Sequence, residues 1–217
     1  MEPPSASSPC HIERAAVSVV TIVNYGVGNL ASIANMIRKV GGEPRLIDRP
    51  EQVGDAEKLL FPGVGAWDAA MAAVHGRGFV EPLRSFAASG RPLLGICLGM
   101  QLLFESSEEG GLPGLGLLSG RVSRFDDRAL RVPHMGWNTV RPLPSARLFA
   151  RDEASPRFYF AHSYYVEPVD SADVAAVANY GADFACAVQR DNVLGTQFHP
   201  EKSHRFGMDL FSRFLEL

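Results

Sequence analysis

The chain has 217 residues, of which 46% are apolar and 21% charged. These are globular proportions, and they exclude wholesale disorder. Lys and Arg total 21 against 24 Asp and Glu, and the formal charge of −3 speaks against a basic nucleic-acid binder. A prior of about 150 residues per domain makes one α/β domain the economical reading. Cys10, Cys97 and Cys186 are odd in number and widely spaced, with no C-x-x-C pair. Neither a disulfide framework nor a zinc or redox motif is expected, and a reducing cytoplasm is the expected compartment. No apolar run reaches the roughly 18 residues of a membrane span. Residues 1–15 are rich in Pro and Ser and lack the order of a secretory signal; they read as a disordered tail before a domain over 16–217.

Residues 16–23 are β-branched and nearly continuous, as a strand buried on both faces should be. After Asn24-Tyr25-Gly26-Val27-Gly28, the positions Leu30, Ile33, Ala34, Ile37 and Val40 recur at helical spacing, and Gly41-Gly42 ends the helix. Strands are predicted at 45–47, at 58–61 (stopped by Pro62-Gly63) and at 92–96, with helices around 67–75 and 79–88 and a further helix over 98–105. Alternation of this kind implies a mostly parallel central sheet with helices on both faces. Beyond about residue 110 short strands recur at 120–122, 138–140, 158–160, 185–188 and 193–198. They predict a smaller antiparallel sheet, closed by an amphipathic helix carrying Phe206, Leu210, Phe214 and Leu217.

Gly95-Ile96-Cys97-Leu98-Gly99 is the sharpest motif. A nucleophile between two glycines, after a buried strand and before a helix, reads as a strand-turn-helix elbow. The helix N-terminus would favour the Cys97 thiolate, and the N–H of Leu98 would supply half an oxyanion hole. A nucleophilic cysteine needs a base and a group to orient it. His199-Pro200-Glu201 offers both, because on an extended segment residues i and i+2 share a face. Gly63, Val64 and Gly65, after the third strand, fit the second oxyanion donor. A rival stands in Gly26-Val27-Gly28-Asn29-Leu30-Ala31 with Asp48 about 20 residues on, which matches the fingerprint of an NAD(P)-binding Rossmann-type oxidoreductase. That rival leaves the cysteine elbow unexplained, and tight NAD binding would revive it.

Together with Pro62-Gly63-Val64-Gly65, the runs Gly95–Gln101 and Gln197–Ser203 resemble class I glutamine amidotransferases over nearly all of the chain after the tail. The resemblance implies glutamine hydrolysis by a triad of Cys97 as nucleophile, His199 as acid/base and Glu201 as orienter. It implies that Gln101, one turn beyond Cys97, holds substrate, and that His162, Ser163 and Tyr164 lie beside the glutamine pocket. Within the family, the runs 24–30, 133–138 and 159–164 are similar to the glutaminase subunits of imidazole glycerol phosphate synthases. That likeness implies ammonia delivery to a (β/α)8-barrel cyclase partner in histidine biosynthesis. Asn29, Trp137 and Lys202 would fall at the partner interface. No metal or organic cofactor, nucleic acid or membrane is implied. A glutaminase subunit of another synthase is the alternative inside the family.

Overall fold

The computed structural model describes residues 17–150 and 155–217; the predicted tail and Cys10 lie outside them. Five strands form the parallel half of one sheet in the order β2 (Glu43–Ile47), β1 (Val19–Val23), β3 (Lys58–Gly63), β4 (Leu93–Cys97) and β12 (Val193–Thr196). The sheet continues through antiparallel β11 (Ala182–Arg190), β10 (Val174–Tyr180), β7 (His134–Pro142) and β8 (Arg157–His162). A branch leaves β11 through β9 (Tyr164–Pro168) to β6 (Gly120–Arg124) and the two-residue β5 (Ser106–Ser107). The predicted smaller antiparallel sheet is therefore an extension of the parallel one. No helix among the described residues is long and apolar enough to cross a membrane.

The two sides of the parallel strands inside the sheet feed two cores, while the edge strand β2 buries only Ile47. Leu59 and Phe61 face α2 (Trp67–Gly76) and α3 (Val80–Ala88), while Leu60 faces α1 (Leu30–Lys39) and α5 (His204–Glu216). Trp67, Met71, Leu83 and Phe86 fill the first core; Ile33, Ile37, Leu210 and Phe214 fill the second. Strands hidden on both faces must be apolar at consecutive positions, which is why they read as unbroken hydrophobic runs.

Several boundaries differ from the sequence reading. Pro62-Gly63 does not stop the third strand: β3 runs through both residues beside β4. Its pairing with β1 ends at Leu60, so Pro62 sits where one flank is already free of the ladder. The helix expected over 98–105 is a single turn, α4 (Leu98–Gln101). Its continuation is taken by the 114–118 loop, whose N–H groups bind the carbonyls of Leu102, Leu103 and Phe104. Those acceptors are no longer free for another helical turn. The run at 133–138, poor as a strand by composition, lies largely in β7, which pairs with β8 over its first part and with β10 over its last. β9 and β10 have no predicted counterpart, and β10 is rich in alanine, a weak strand former.

Glycines of the Rossmann-like run meet the protein's own atoms. A Cβ on Gly28 would lie 3.4 Å from Leu30 and Pro62, and Gly26 and Gly28 both have positive φ. The turn and the approach to Pro62 account for these glycines without a bound pyrophosphate.

Candidate active site

Cys97 ends β4 with φ 55° and ψ −115°, a left-handed conformation that costs an L-residue on the order of 1–3 kcal/mol. The flanking glycines make the elbow possible for two different reasons. A Cβ on Gly95 would come within 2.8 Å of the backbone of Gly99 and Met100, so the turn itself is the obstacle. At Gly99 a Cβ would lie 2.0 Å from the carbonyl oxygen of Phe61, so the neighbouring strand is the obstacle. Gly63 is the register partner of Cys97 across β3 and β4, and a Cβ there would strike Gly99 N at 2.6 Å. Val64 and Gly65 follow at the rim, Gly65 with φ +97°.

His199 leaves the sheet three residues beyond Thr196, and β12 lies directly beside β4. Its N–H donates to Tyr159 O at 2.9 Å, and its carbonyl accepts from Ser203 Oγ at 2.6 Å. Residues Pro200–Lys202 form one 3-10 turn rather than the extended segment expected, because proline's fixed φ suits the first position of a helical turn. The imidazole and carboxylate still meet, with His199 Nδ1 2.9 Å from Glu201 Oε1. Burial disfavours the charged imidazole, but the hydrogen bonds its ring N–H groups donate to Cys97 and Glu201 outweigh it and hold the ring up at about 9. With Nδ1 on Glu201, Nε2 is the nitrogen left for the sulfur.

A cleft of about 310 Å³ opens over this pair. Its lining brings together Cys97, Leu98, Gln101, Val64, Gly65, His162, Ser163, Tyr164, His199 and Lys202 from the sequence prediction. Gly63 and Glu201 stand behind the wall. Gln101 donates its amide nitrogen to Tyr164 O and to Gln197 Oε1, both at 3.0 Å, so its oxygen is what remains for a ligand. His162 has both ring nitrogens engaged: Nδ1 is 2.7 Å from Tyr164 O, and Nε2 is 2.9 Å from His134 Nδ1. It faces His134 directly across β7 and β8. Burial pushes His162 down to about 3 and His134 down to about 4, so both rings are neutral. What His162 offers a substrate is therefore backbone and ring edge.

Four lining residues were not among the predicted site residues: Glu109, Pro133, Met135 and Ala161. Glu109 reaches the cleft from an acidic, glycine-rich turn whose sequence carries no catalytic signature. Its Oε2 accepts from Trp67 N at 3.0 Å, and burial raises its carboxyl above the usual range. Met135, 65% exposed, reaches the rim from β7 beside exposed Lys202. Trp137, 40% exposed on the same strand face, stacks on His204 at 5.4 Å and meets Tyr159 edge-on at 6.3 Å. Asn29 is exposed at the start of α1, one residue after Gly28, which abuts Pro62.

Residues 21–216 match the family described as glutamine amidotransferase class-I. The chain is 47% identical over 203 residues to imidazole glycerol phosphate synthase subunit HisH 2 of Pseudomonas aeruginosa, covering 92% of this chain and 100% of that one. It is 43% identical over 204 residues to imidazole glycerol phosphate synthase subunit HisH of Leptospira borgpetersenii, covering 92% and 100%. Among solved structures it is similar to PurLQS from Thermotoga maritima, with a TM-score of 0.72, 18% identity and coverage of 92% and 98%. A structure described as glutamine amidotransferase gives a TM-score of 0.67 at 20% identity, covering 88% and 98%.

Proposed function

The chain belongs to the class-I glutamine amidotransferase family, and from that premise we propose that it is the glutaminase subunit of an imidazole glycerol phosphate synthase. Glutamine occupies the cleft with its carboxamide carbon at Cys97. The thiolate attacks that carbon and forms a C–S bond, and the oxyanion is held by backbone N–H groups of Leu98 and the Gly63–Gly65 loop. His199 then protonates the leaving nitrogen, and the C–N bond breaks to release ammonia. In the second half His199 takes a proton from water, the water oxygen attacks the thioester, and glutamate leaves as the sulfur is freed. Glu201 holds the imidazole so that Nε2 faces the sulfur. The Glu109 carboxylate suits the substrate's α-ammonium group, and Gln101 with the 162–164 segment suits its amino-acid end.

Ammonia released into water is protonated and lost as a nucleophile. A docked (β/α)8-barrel cyclase would receive it directly and complete imidazole glycerol phosphate and an aminoimidazole carboxamide ribonucleotide in histidine biosynthesis. Exposed Met135 and Trp137 supply the apolar part of the docking surface, with Lys202 at the cleft rim and exposed Asn29 at the start of α1 as its polar contacts.

The observation that carries this reading is the junction at the ends of β4 and β12: a strained cysteine beside a histidine oriented by a buried carboxylate. Its test combines the chain with the cyclase subunit of an imidazole glycerol phosphate synthase and the cyclase substrate. Cys97→Ala should abolish glutamine-dependent synthesis while added ammonium salt still supports it. Loss of both activities together would make Cys97 a structural residue of the complex.

A further inference from the structure

Gln197 is fully buried immediately after β12, and its backbone N–H is pinned to Cys186 O at 2.8 Å. Its side-chain nitrogen lies 3.9 Å from Cys97 Sγ, within reach of a bond to sulfur, and its Oε1 accepts from Gln101. We propose that Gln197 is a positioning residue for the nucleophile: its carboxamide N–H donates to the Cys97 sulfur, and the backbone carbonyl of Tyr164 locks that orientation through Gln101. The inference rests on Cys97 being the nucleophile.

The lock follows from donor and acceptor counting. A carbonyl oxygen only accepts, so both groups that meet Tyr164 O must donate. One is His162 Nδ1 at 2.7 Å; the other is the Gln101 amide nitrogen at 3.0 Å. The Gln101 NH2 group therefore points to that carbonyl, and its second hydrogen goes to Gln197. Gln197 must answer with its oxygen, which leaves its own NH2 turned to the sulfur. Rotating Gln197 by half a turn would set two NH2 groups against each other and an oxygen lone pair against a thiolate. Rotating both glutamines would press the Gln101 oxygen onto Tyr164 O. Each alternative leaves buried polar atoms unmatched, a loss that a low-dielectric interior makes expensive.

The lock extends the other way as well. His162 is neutral with its proton on Nδ1, so Nε2 accepts from His134 Nδ1–H. His134 Nε2 then accepts from Asn138 Nδ2 at 3.2 Å, and the same nitrogen donates to Asn179 O at 2.9 Å. One consistent assignment of donors, converging from both sides on Tyr164 O, therefore satisfies every link from β7 to the sulfur. The amide also fills a gap in the support of the thiolate. With α4 reduced to one turn, a macrodipole offers little, and a fixed N–H beside the sulfur supplies stabilisation of the kind expected from a longer helix.

The test reads the pH dependence of iodoacetamide alkylation at Cys97 in the full chain, following the Cys97-containing peptide by mass. Gln197→Glu keeps the size and the acceptor toward Gln101 but replaces the donor by a negative charge; Gln197→Met removes donor and acceptor without adding charge, and so isolates the lost bond. The titratable groups around the sulfur, His199 with Glu201 behind it, Tyr25, and His162, Glu109 and Lys202 around the cleft, are common to all forms. Both variants should raise the alkylation midpoint by about one pH unit, a tenfold loss of thiolate below it. In the cyclase complex kcat should fall with KM for glutamine little changed. An unchanged midpoint in the folded variants overturns the proposal. Should neither variant fold, Gln101→Met carries the test: releasing the lock should also raise the midpoint, and no shift overturns it. A Cys97→Ala chain that keeps wild-type glutaminase activity would instead overturn the nucleophile itself, so the two failures are distinguishable.

Discussion

Replacing Glu201 by glutamine changes one atom in the pair that orients His199. The imidazole stands at about 9 against an ordinary 6.5, and each pH unit corresponds to about 1.4 kcal/mol, so the charged ring is favoured by about 3 kcal/mol. Burial works against that preference, and Cys97 and Glu201 together produce it. A glutamine oxygen can still accept from Nδ1–H at the same 2.9 Å, but the negative charge is gone. Assigning the carboxylate roughly half of the preference gives a loss of about 1.5 kcal/mol, a midpoint lower by about one pH unit and a kcat about tenfold lower. There is a second cost. Glu201 Oε2 is buried without a hydrogen-bond partner, so the substituted NH2 would be a buried donor facing no acceptor. That costs about 1–3 kcal/mol of folding stability. The assay is proton NMR of the His199 ring across pH 5–10, alongside glutaminase rates with the cyclase bound. An unmoved His199 titration with an unchanged rate would refute the claim that this carboxylate tunes the base.

Other outcomes follow from the same geometry. Gly99→Ala places a methyl 2.0 Å from Phe61 O and should destabilise the chain by about 2–4 kcal/mol, read by urea unfolding; a smaller loss would mean that the elbow can shift away from β3. Trp137→Ala should leave the thermal midpoint nearly unchanged, since the ring is 40% exposed, but weaken cyclase binding by about 2 kcal/mol in calorimetry; an unchanged Kd removes Trp137 from the interface. His134 and His162 are held at about 4 and 3, below their unfolded value near 6.5. The unfolded chain binds protons first as pH falls below 6.5, so stability should drop between pH 6.5 and 3. His199 acts oppositely: raised to about 9, its contribution is complete below 6.5 and disappears as pH rises through 9. Denaturant midpoints across pH 3–10 check both limbs, and a flat acid limb in a His134→Phe/His162→Phe variant would assign that limb to the pair.

What the sequence disclosed was local chemistry. The elbow was legible because Gly95 and Gly99 bracket a cysteine between an apolar run and a helical one, and the H-P-E segment because the imidazole and the carboxylate that meets it are neighbours in the chain. The inner strands of the parallel half were legible because they are buried on both faces. Cross-strand facts were not. Gln197 was visible in a quoted motif, yet its task depends on Gln101, 96 positions away, and on a carbonyl that no side-chain pattern reveals. The pairing of His134 with His162 needs the β7–β8 register. Trp137 at the surface came from family likeness rather than periodicity, since β7 mixes Pro, Gly and His with its apolar residues. The short α4 was hidden because Leu102, Leu103 and Phe104 suit a helix, and only the distant 114–118 loop diverts their carbonyls.

β12 is the central strand that joins the parallel half of the sheet to the antiparallel half, and it is almost the last element of the chain. During synthesis, β1 to β4 emerge long before it, leaving β4 as an open edge with the cysteine at its tip. An unpaired apolar edge of that kind invites pairing with other chains. The strand that seals it also delivers His199 and Glu201 three and five residues after Thr196. Closing the sheet and bringing the imidazole to the cysteine are thus one event, set by when the final stretch leaves the ribosome. A nascent chain stalled before that point carries the cysteine without its histidine neighbour, and the fold withholds that imidazole until the sheet has no open centre.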